Sequence, residues 1–125
     1  MASLIRRRRA FALAVGCVGF LGALWSATDA RQQGKVVELS IDGDHYAFAP
    51  ARIEVQKDDL VKITFHARDI AHSFTVDAYR IAKRAAAGQT VVFEFRADQA
   101  GTFPFYCNLT QDDKCRQMKG EIVVR

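Results

Sequence analysis

A repeated alternation of apolar and polar residues after position 35 constrains this chain more than any other feature. Val37, Leu39 and Ile41 alternate with Glu38, Ser40 and Asp42, and Ile53 and Val55 with Glu54 and Gln56. Val61, Ile63 and Phe65 alternate with Lys62, Thr64 and His66, and Val91, Phe93 and Phe95 with Val92, Glu94 and Arg96. A period of two puts every second side chain on one face of an extended chain, so each run predicts a strand with one buried face. Shorter strands are expected over residues 73–76, 102–106 and 121–124. No comparable helical stripe occurs in this part of the chain. Turn-forming clusters fall between the runs at Asp42-Gly43-Asp44, Lys57-Asp58-Asp59, Ala87-Gly88-Gln89 and Gln99-Ala100-Gly101. Their spacing predicts a small antiparallel sandwich, near the roughly 100 residues at which two sheets bury an adequate core.

The first thirty residues follow a different logic. Arg6, Arg7, Arg8 and Arg9 precede an uncharged stretch from Ala10 to Ala27, and Thr28 and Ala30 offer small residues before Arg31. This is the pattern of an export signal, with an uncleaved membrane-anchoring helix as the alternative because the apolar run is long. Arg8-Arg9-Ala10-Phe11 also resembles a twin-arginine signal. Cys17 reads as filler within the leader. The expected organisation is a leader or anchor over residues 1–30, a polar linker over 31–34 and one domain over 35–125.

Charge follows this division. The leader holds four of the eighteen Lys and Arg and one of the fourteen Asp and Glu, leaving fourteen basic residues against thirteen acidic ones in the remainder. The domain is nearly neutral, and the basic balance of the whole chain gives no warrant for a nucleic-acid partner.

The domain keeps two cysteines, Cys107 and Cys115, with Met118 in the same short segment and His72 upstream. Two thiolates, a thioether and an imidazole form a soft donor set that favours copper over hard cations. The paired Cys-x-x-Cys ligands of a structural zinc site are missing. In an oxidising compartment the same two cysteines can instead form a disulfide, so both readings stand. His45 and His66 read as surface or strand-end histidines, and Gln111 as a loop residue.

Several segments carry a family resemblance. Phe48-Ala-Pro-Ala-Arg-Ile-Glu-Val, Asp59-Leu-Val-Lys-Ile-Thr-Phe, Asp69-Ile-Ala-His-Ser-Phe, Phe93-Glu-Phe-Arg-Ala-Asp, Gly101-Thr-Phe-Pro-Phe-Tyr-Cys and Met118-Lys-Gly-Glu-Ile-Val-Val together resemble a cupredoxin domain. They are most similar to the dinuclear copper (CuA) domains of cytochrome c oxidase subunit II and nitrous-oxide reductase. The resemblance implies an all-β Greek-key sandwich, with His72, Cys107 and Met118 at copper-ligand positions. The loop departs from the family's Cys-x-x-x-Cys-x-x-x-His-x-x-Met. Gln111 stands where the second bridging cysteine belongs, and Cys115 where the second histidine belongs. One copper is therefore expected rather than a dinuclear centre.

These features predict an exported copper protein with His72, Cys107, Cys115 and Met118 as its ligands, passing single electrons to or from a redox partner protein. A Cu(I) carrier that trades copper to an acceptor, and a metal-free domain closed by a Cys107–Cys115 disulfide, are the alternatives. No carboxylate pair, activated serine or phosphate-cradling glycine loop is evident, so catalysis by this chain alone is not expected. The expected location is periplasmic or otherwise extracytoplasmic, with membrane attachment only if the leader is retained.

Overall fold

The computed structural model describes residues 34–125. The expected leader or anchor helix and most of the linker lie outside them. Among the described residues nine strands follow in order: β1 (Val36–Asp44), β2 (Ala47–Ala49), β3 (Arg52–Val55), β4 (Leu60–Ala67), β5 (His72–Val76), β6 (Ile81–Ala85), β7 (Thr90–Arg96), β8 (Gly101–Tyr106) and β9 (Lys119–Val124). They form one sheet of order β2-β1-β4-β7 and a second of order β3-β9-β8-β5-β6. The alternating runs supply β1, β3, β4 and β7, whose buried residues fall at every second position as the period requires.

Three expectations need correction. The sandwich is mixed rather than antiparallel, because β1 runs parallel to β4 and β3 parallel to β9. Each parallel pair joins strands that are distant in sequence, and turn spacing carries no information about such partners. Asp42-Gly43-Asp44 is the end of β1, and the turn sits at His45 and Tyr46, both with positive φ. Two strands are additional. β2 has only three residues, and β6 reads Ile-Ala-Lys-Arg-Ala, which has too few large apolar residues to show a pattern.

The two sheets close over a core centred on Phe48, Phe65, Phe74 and Phe105. Phe105 stacks on Phe74 at 4.6 Å between ring centroids and meets Phe48 edge-on at 4.9 Å. Burying such rings is the largest single source of stability available to a domain of this size. Gly120 is required by the close approach of β9 to this core, since a Cβ there would lie 2.2 Å from Phe105 Cζ and 2.5 Å from the Ala51 carbonyl oxygen. Strands β8 and β9 form an antiparallel hairpin whose last pair is Tyr106 with Lys119. The segment from Cys107 to Met118 therefore leaves and re-enters the sandwich at one end. His72, the first residue of β5, begins at that same end, since β5 is antiparallel to β8 and pairs Thr75 with Tyr106.

Candidate metal centre

Hairpin geometry accounts for the meeting of the sulfur residues. Beyond the Tyr106–Lys119 pair, the amide of Cys107 donates to the carbonyl of Met118 at 3.4 Å, which continues the ladder by one step. The loop then turns through a short 3-10 segment over Cys115–Gln117, closed by the Met118 amide donating to the Cys115 carbonyl at 3.0 Å. Cys115 returns to Cys107 across a separation of eight residues with a Cα–Cα distance of 5.3 Å, and the two are joined in a disulfide. Cys107, Cys115 and Met118 are all buried within the hydrophobic core. The disulfide alternative left open by the sequence is thus the state of the structure, and in that state neither sulfur is a free thiolate.

His72 is fully buried, and its two ring nitrogens differ sharply. Nε2 lies 2.6 Å from Asp69 Oδ1. Partial burial pushes the Asp69 carboxyl up, but hydrogen bonds from His72 and from the backbone amides of Ile70, His45 and Asp69 itself outweigh it and bring the pKa down to about 2. At neutral pH that carboxylate only accepts, so Nε2 carries the proton of this hydrogen bond. Nδ1 is buried without a hydrogen-bond partner. A second ring proton there would be an unsatisfied buried donor, so the arrangement leaves Nδ1 with a free lone pair. Gly43 allows β1 to approach this ring, because a Cβ on it would lie 3.1 Å from His72 Cδ2 and 3.2 Å from Cγ.

The next residue links the histidine to the sulfur pair. The Ser73 amide donates to Cys107 Sγ at 3.4 Å, the Ser73 hydroxyl donates to Asn108 Oδ1 at 2.7 Å, and the Asn108 amide donates to Ser73 Oγ at 2.8 Å. The start of the loop is thereby fixed to the start of β5. Farther along the loop, the Tyr46 hydroxyl donates to Asp112 Oδ2 at 2.7 Å, the Lys114 Nζ lies 5.2 Å from the Tyr46 ring centroid, and that ring meets His72 edge-on at 6.4 Å. The Tyr46 hydrogen bond, followed by one from the Lys114 amide, holds the Asp112 carboxyl below its usual range. The same bond raises the Tyr46 hydroxyl.

Sequence reasoning named His72, Cys107, Cys115 and Met118 but not the residues that hold them. Asp69, Ser73 and Tyr46 do that work; Asp69 and Ser73 both lie in the Asp-x-x-His-Ser-Phe segment, and Tyr46 left no signal. His45 is exposed as expected, yet with Asp44 and Asp69 it forms a cluster whose donor atoms lie within 4.8 Å of one another. These groups are already engaged: His45 Nδ1 lies 2.8 Å from Asp44 Oδ1, and Asp69 accepts from both the His45 amide and His72. Gln111 is an exposed loop residue, as expected, and borders a notch that Cys115 also lines.

The residues fit copper conditionally. By donor chemistry alone, the dithiol state would add two thiolates to the His72 imidazole and the Met118 thioether and give a soft set. The two sheets, with a histidine at the head of one strand and cysteine and methionine at the two feet of the final hairpin, have the architecture of a cupredoxin-like sandwich. The chain belongs to the cupredoxin-like domain family, whose pattern matches residues 14–124. Solved structures agree at the level of the fold. The chain is 20% identical to the Cu(I)-bound metal-binding domain of the Cu(I)-exporting P-type ATPase CopA of Streptococcus pneumoniae D39, with TM-score 0.61 over 74% of this chain and 94% of that one. It is 19% identical to auracyanin A, a "blue" copper protein of Chloroflexus aurantiacus, with TM-score 0.61 over 72% and 99%. It is 14% identical to the periplasmic domain of cytochrome oxidase subunit II of Bradyrhizobium japonicum, with TM-score 0.63 over 71% and 83%. No curated protein sequence matches the chain.

Proposed function

We propose that this chain is an extracytoplasmic cupredoxin that, in its dithiol state, binds one copper through His72, Cys107, Cys115 and Met118 and exchanges single electrons with a partner protein. The observation that carries the reading is the buried, unpartnered Nδ1 of His72, held in place through Nε2 by Asp69. A lone pair kept dry and free of donors is what a ligand needs and what a core histidine ordinarily avoids. Bound copper would supply a one-electron couple. The chain's own residues orient the imidazole, exclude water and hold the loop sulfurs together. Catalysis on its own is no part of the proposal.

A second reading, a Cu(I) carrier, draws support from the donor set itself. Cys115 replaces the second histidine of a blue site, and three sulfurs with one imidazole suit Cu(I) better than Cu(II). The fold shared with a domain solved with Cu(I) is consistent with this. The CuA resemblance in Asp69-Ile-Ala-His-Ser-Phe supports the ligand position of His72, while Gln111 argues for one ion.

Anaerobic copper titration of the reduced protein, with thiol state measured in parallel, separates these readings. One copper per chain, an intense visible thiolate-to-copper band and reversible cycling support electron transfer. Tight colourless Cu(I) binding with release to a competing site supports the carrier. A dithiol form that binds no copper would overturn both and leave a disulfide-closed structural domain.

A further inference from the structure

The two sulfurs of the Cys107–Cys115 pair sit in unequal surroundings. Cys115 lines a notch of about 140 Å³ formed with Ile70, Ala71, Leu109, Gln111 and Asp112. Both cysteines are buried, at 0% exposure for Cys107 and 1% for Cys115, but Cys107 lines no part of that notch, and its Sγ accepts the Ser73 amide at 3.4 Å at the foot of β8. Cys115 is flanked by the exposed Lys114 and Arg116, and Cys107 is followed by Asn108, which is also exposed but is tied twice to Ser73.

Thiol–disulfide exchange depends on which sulfur the attacking thiolate can reach and on how well the other departs as a thiolate. The notch gives the approach to Cys115. The Ser73 amide gives the departing Cys107 a hydrogen bond that strengthens as negative charge develops on sulfur. We propose that this disulfide is a directional exchange site, attacked at Cys115 by an external thiolate, with Cys107 as the leaving group. In the first step the attacking sulfur bonds to Cys115 Sγ, the Cys107–Cys115 bond breaks, and its electron pair leaves on Cys107. A second thiol then attacks the mixed disulfide, releasing the oxidised reductant as its own disulfide and Cys115 as a thiolate. Protons from the two thiols end on Cys107 and Cys115, so two thiols are oxidised for each disulfide reduced. The reductant class is a thiol, either a small molecule or the dithiol of a protein. The step bears on the copper reading because only the dithiol state presents two thiolates, but it needs no metal, and its test contains none.

The full chain in its disulfide form is exposed without copper to limiting glutathione in one arm and to a thioredoxin-type dithiol protein in the other, then acid-quenched and mapped by peptide mass spectrometry. The mixed adduct is expected on Cys115, with about tenfold less on Cys107. The faster arm identifies the source of the thiol. Single-cysteine variants give an independent reading. Cys107→Ser, which leaves Cys115 free, is expected to react with an aromatic disulfide probe about tenfold faster than Cys115→Ser, which leaves Cys107 free. Circular dichroism of both variants confirms that folded protein is compared; if either is unfolded, the adduct map on the unmutated chain decides. Adducts on Cys107, equal labelling of the two, or a disulfide that neither thiol reduces without denaturant would overturn the proposal. Failure of copper to bind the reduced chain would leave it intact.

Discussion

The two ends of the sandwich are closed by different proportions of directional bonding and aromatic packing. At the end that carries His72 the loop is held by directional bonds: Asp69 to His72, Ser73 to Asn108, Tyr46 to Asp112, and the Cys107–Cys115 disulfide. At the opposite end, beyond Val76, Tyr79 packs against Phe95 at 4.9 Å and against Phe103 at 5.4 Å, and its hydroxyl donates to the Gln99 carbonyl at 3.0 Å. Packing tolerates small shifts, whereas short polar bonds fix atoms to within a few tenths of an ångström. The His72 end carries more of the second kind of closure, as holding donor atoms for an ion would require, while the opposite end adds bonds such as the Gln56 amide to Asp59 Oδ2 at 2.9 Å to its aromatic packing.

The broadest test removes what both ends share. Phe105→Ala takes out a fully buried ring between Phe48 and Phe74 and is expected to destabilise the domain by about 3–5 kcal/mol in denaturant unfolding. Both ends should loosen together, and hydrogen exchange that loosened only one would break the comparison into two independent units. Next in size, Cys115→Ser opens a short loop and is expected to cost about 2–3 kcal/mol relative to the disulfide form. Protection should fall in residues 107–118 while the Tyr79 end stays unchanged.

Asp69→Ala leaves the Nε2–H of buried His72 without its acceptor, for an expected loss of about 1–3 kcal/mol. Nitrogen-15 shifts of the His72 ring should show that Nδ1 no longer holds a fixed lone pair. Acid gives the same result without mutation. The folded pKa of Asp69 is about 2 against an ordinary value of 3.8, so its contribution is fully present above about pH 4 and is lost as pH falls towards 2. The thermal midpoint should fall across that window, and Asp69→Asn should flatten that part of the profile. The smallest effects come from a matched pair. Tyr46→Phe and Tyr79→Phe each remove one hydroxyl and should each lower the unfolding midpoint only slightly. Only Tyr46→Phe should speed reduction of the disulfide, since only Tyr46 is bonded to the loop; equal effects on reduction would erase the contrast between the ends.

Much of the fold was legible because period-two alternation is a local property. The runs around Leu39, Ile53, Ile63 and Phe93 could bury their apolar side chains only as strands. β6 was not legible, since Ala82, Lys83 and Arg84 are exposed and only Ile81 and Ala85 are buried, leaving too short a pattern to detect. The parallel pairing of β1 with β4 was hidden for a different reason: a strand's sequence records which face is buried but not which neighbour supplies its hydrogen bonds. At the site, the proximity of Cys107, Cys115 and Met118 could be read from loop length. The roles of Tyr46 and Ser73 could not, because Tyr46 and Asp112 are 66 residues apart and Ser73 and Asn108 are 35 apart.

The sequence by itself determined the donor types, their crowding into the last hairpin and the departure of that loop from the two-histidine pattern, all of which are properties of residue identity and spacing. Only the tertiary structure decided that the two sulfurs are bonded to each other, that one nitrogen of His72 is anchored while the other is left dry and free, and that Cys115 rather than Cys107 borders the notch. Those outcomes depend on hydrogen bonds and burial between strands distant in the chain, where relative position is set by how two sheets close and not by any local preference of the residues involved.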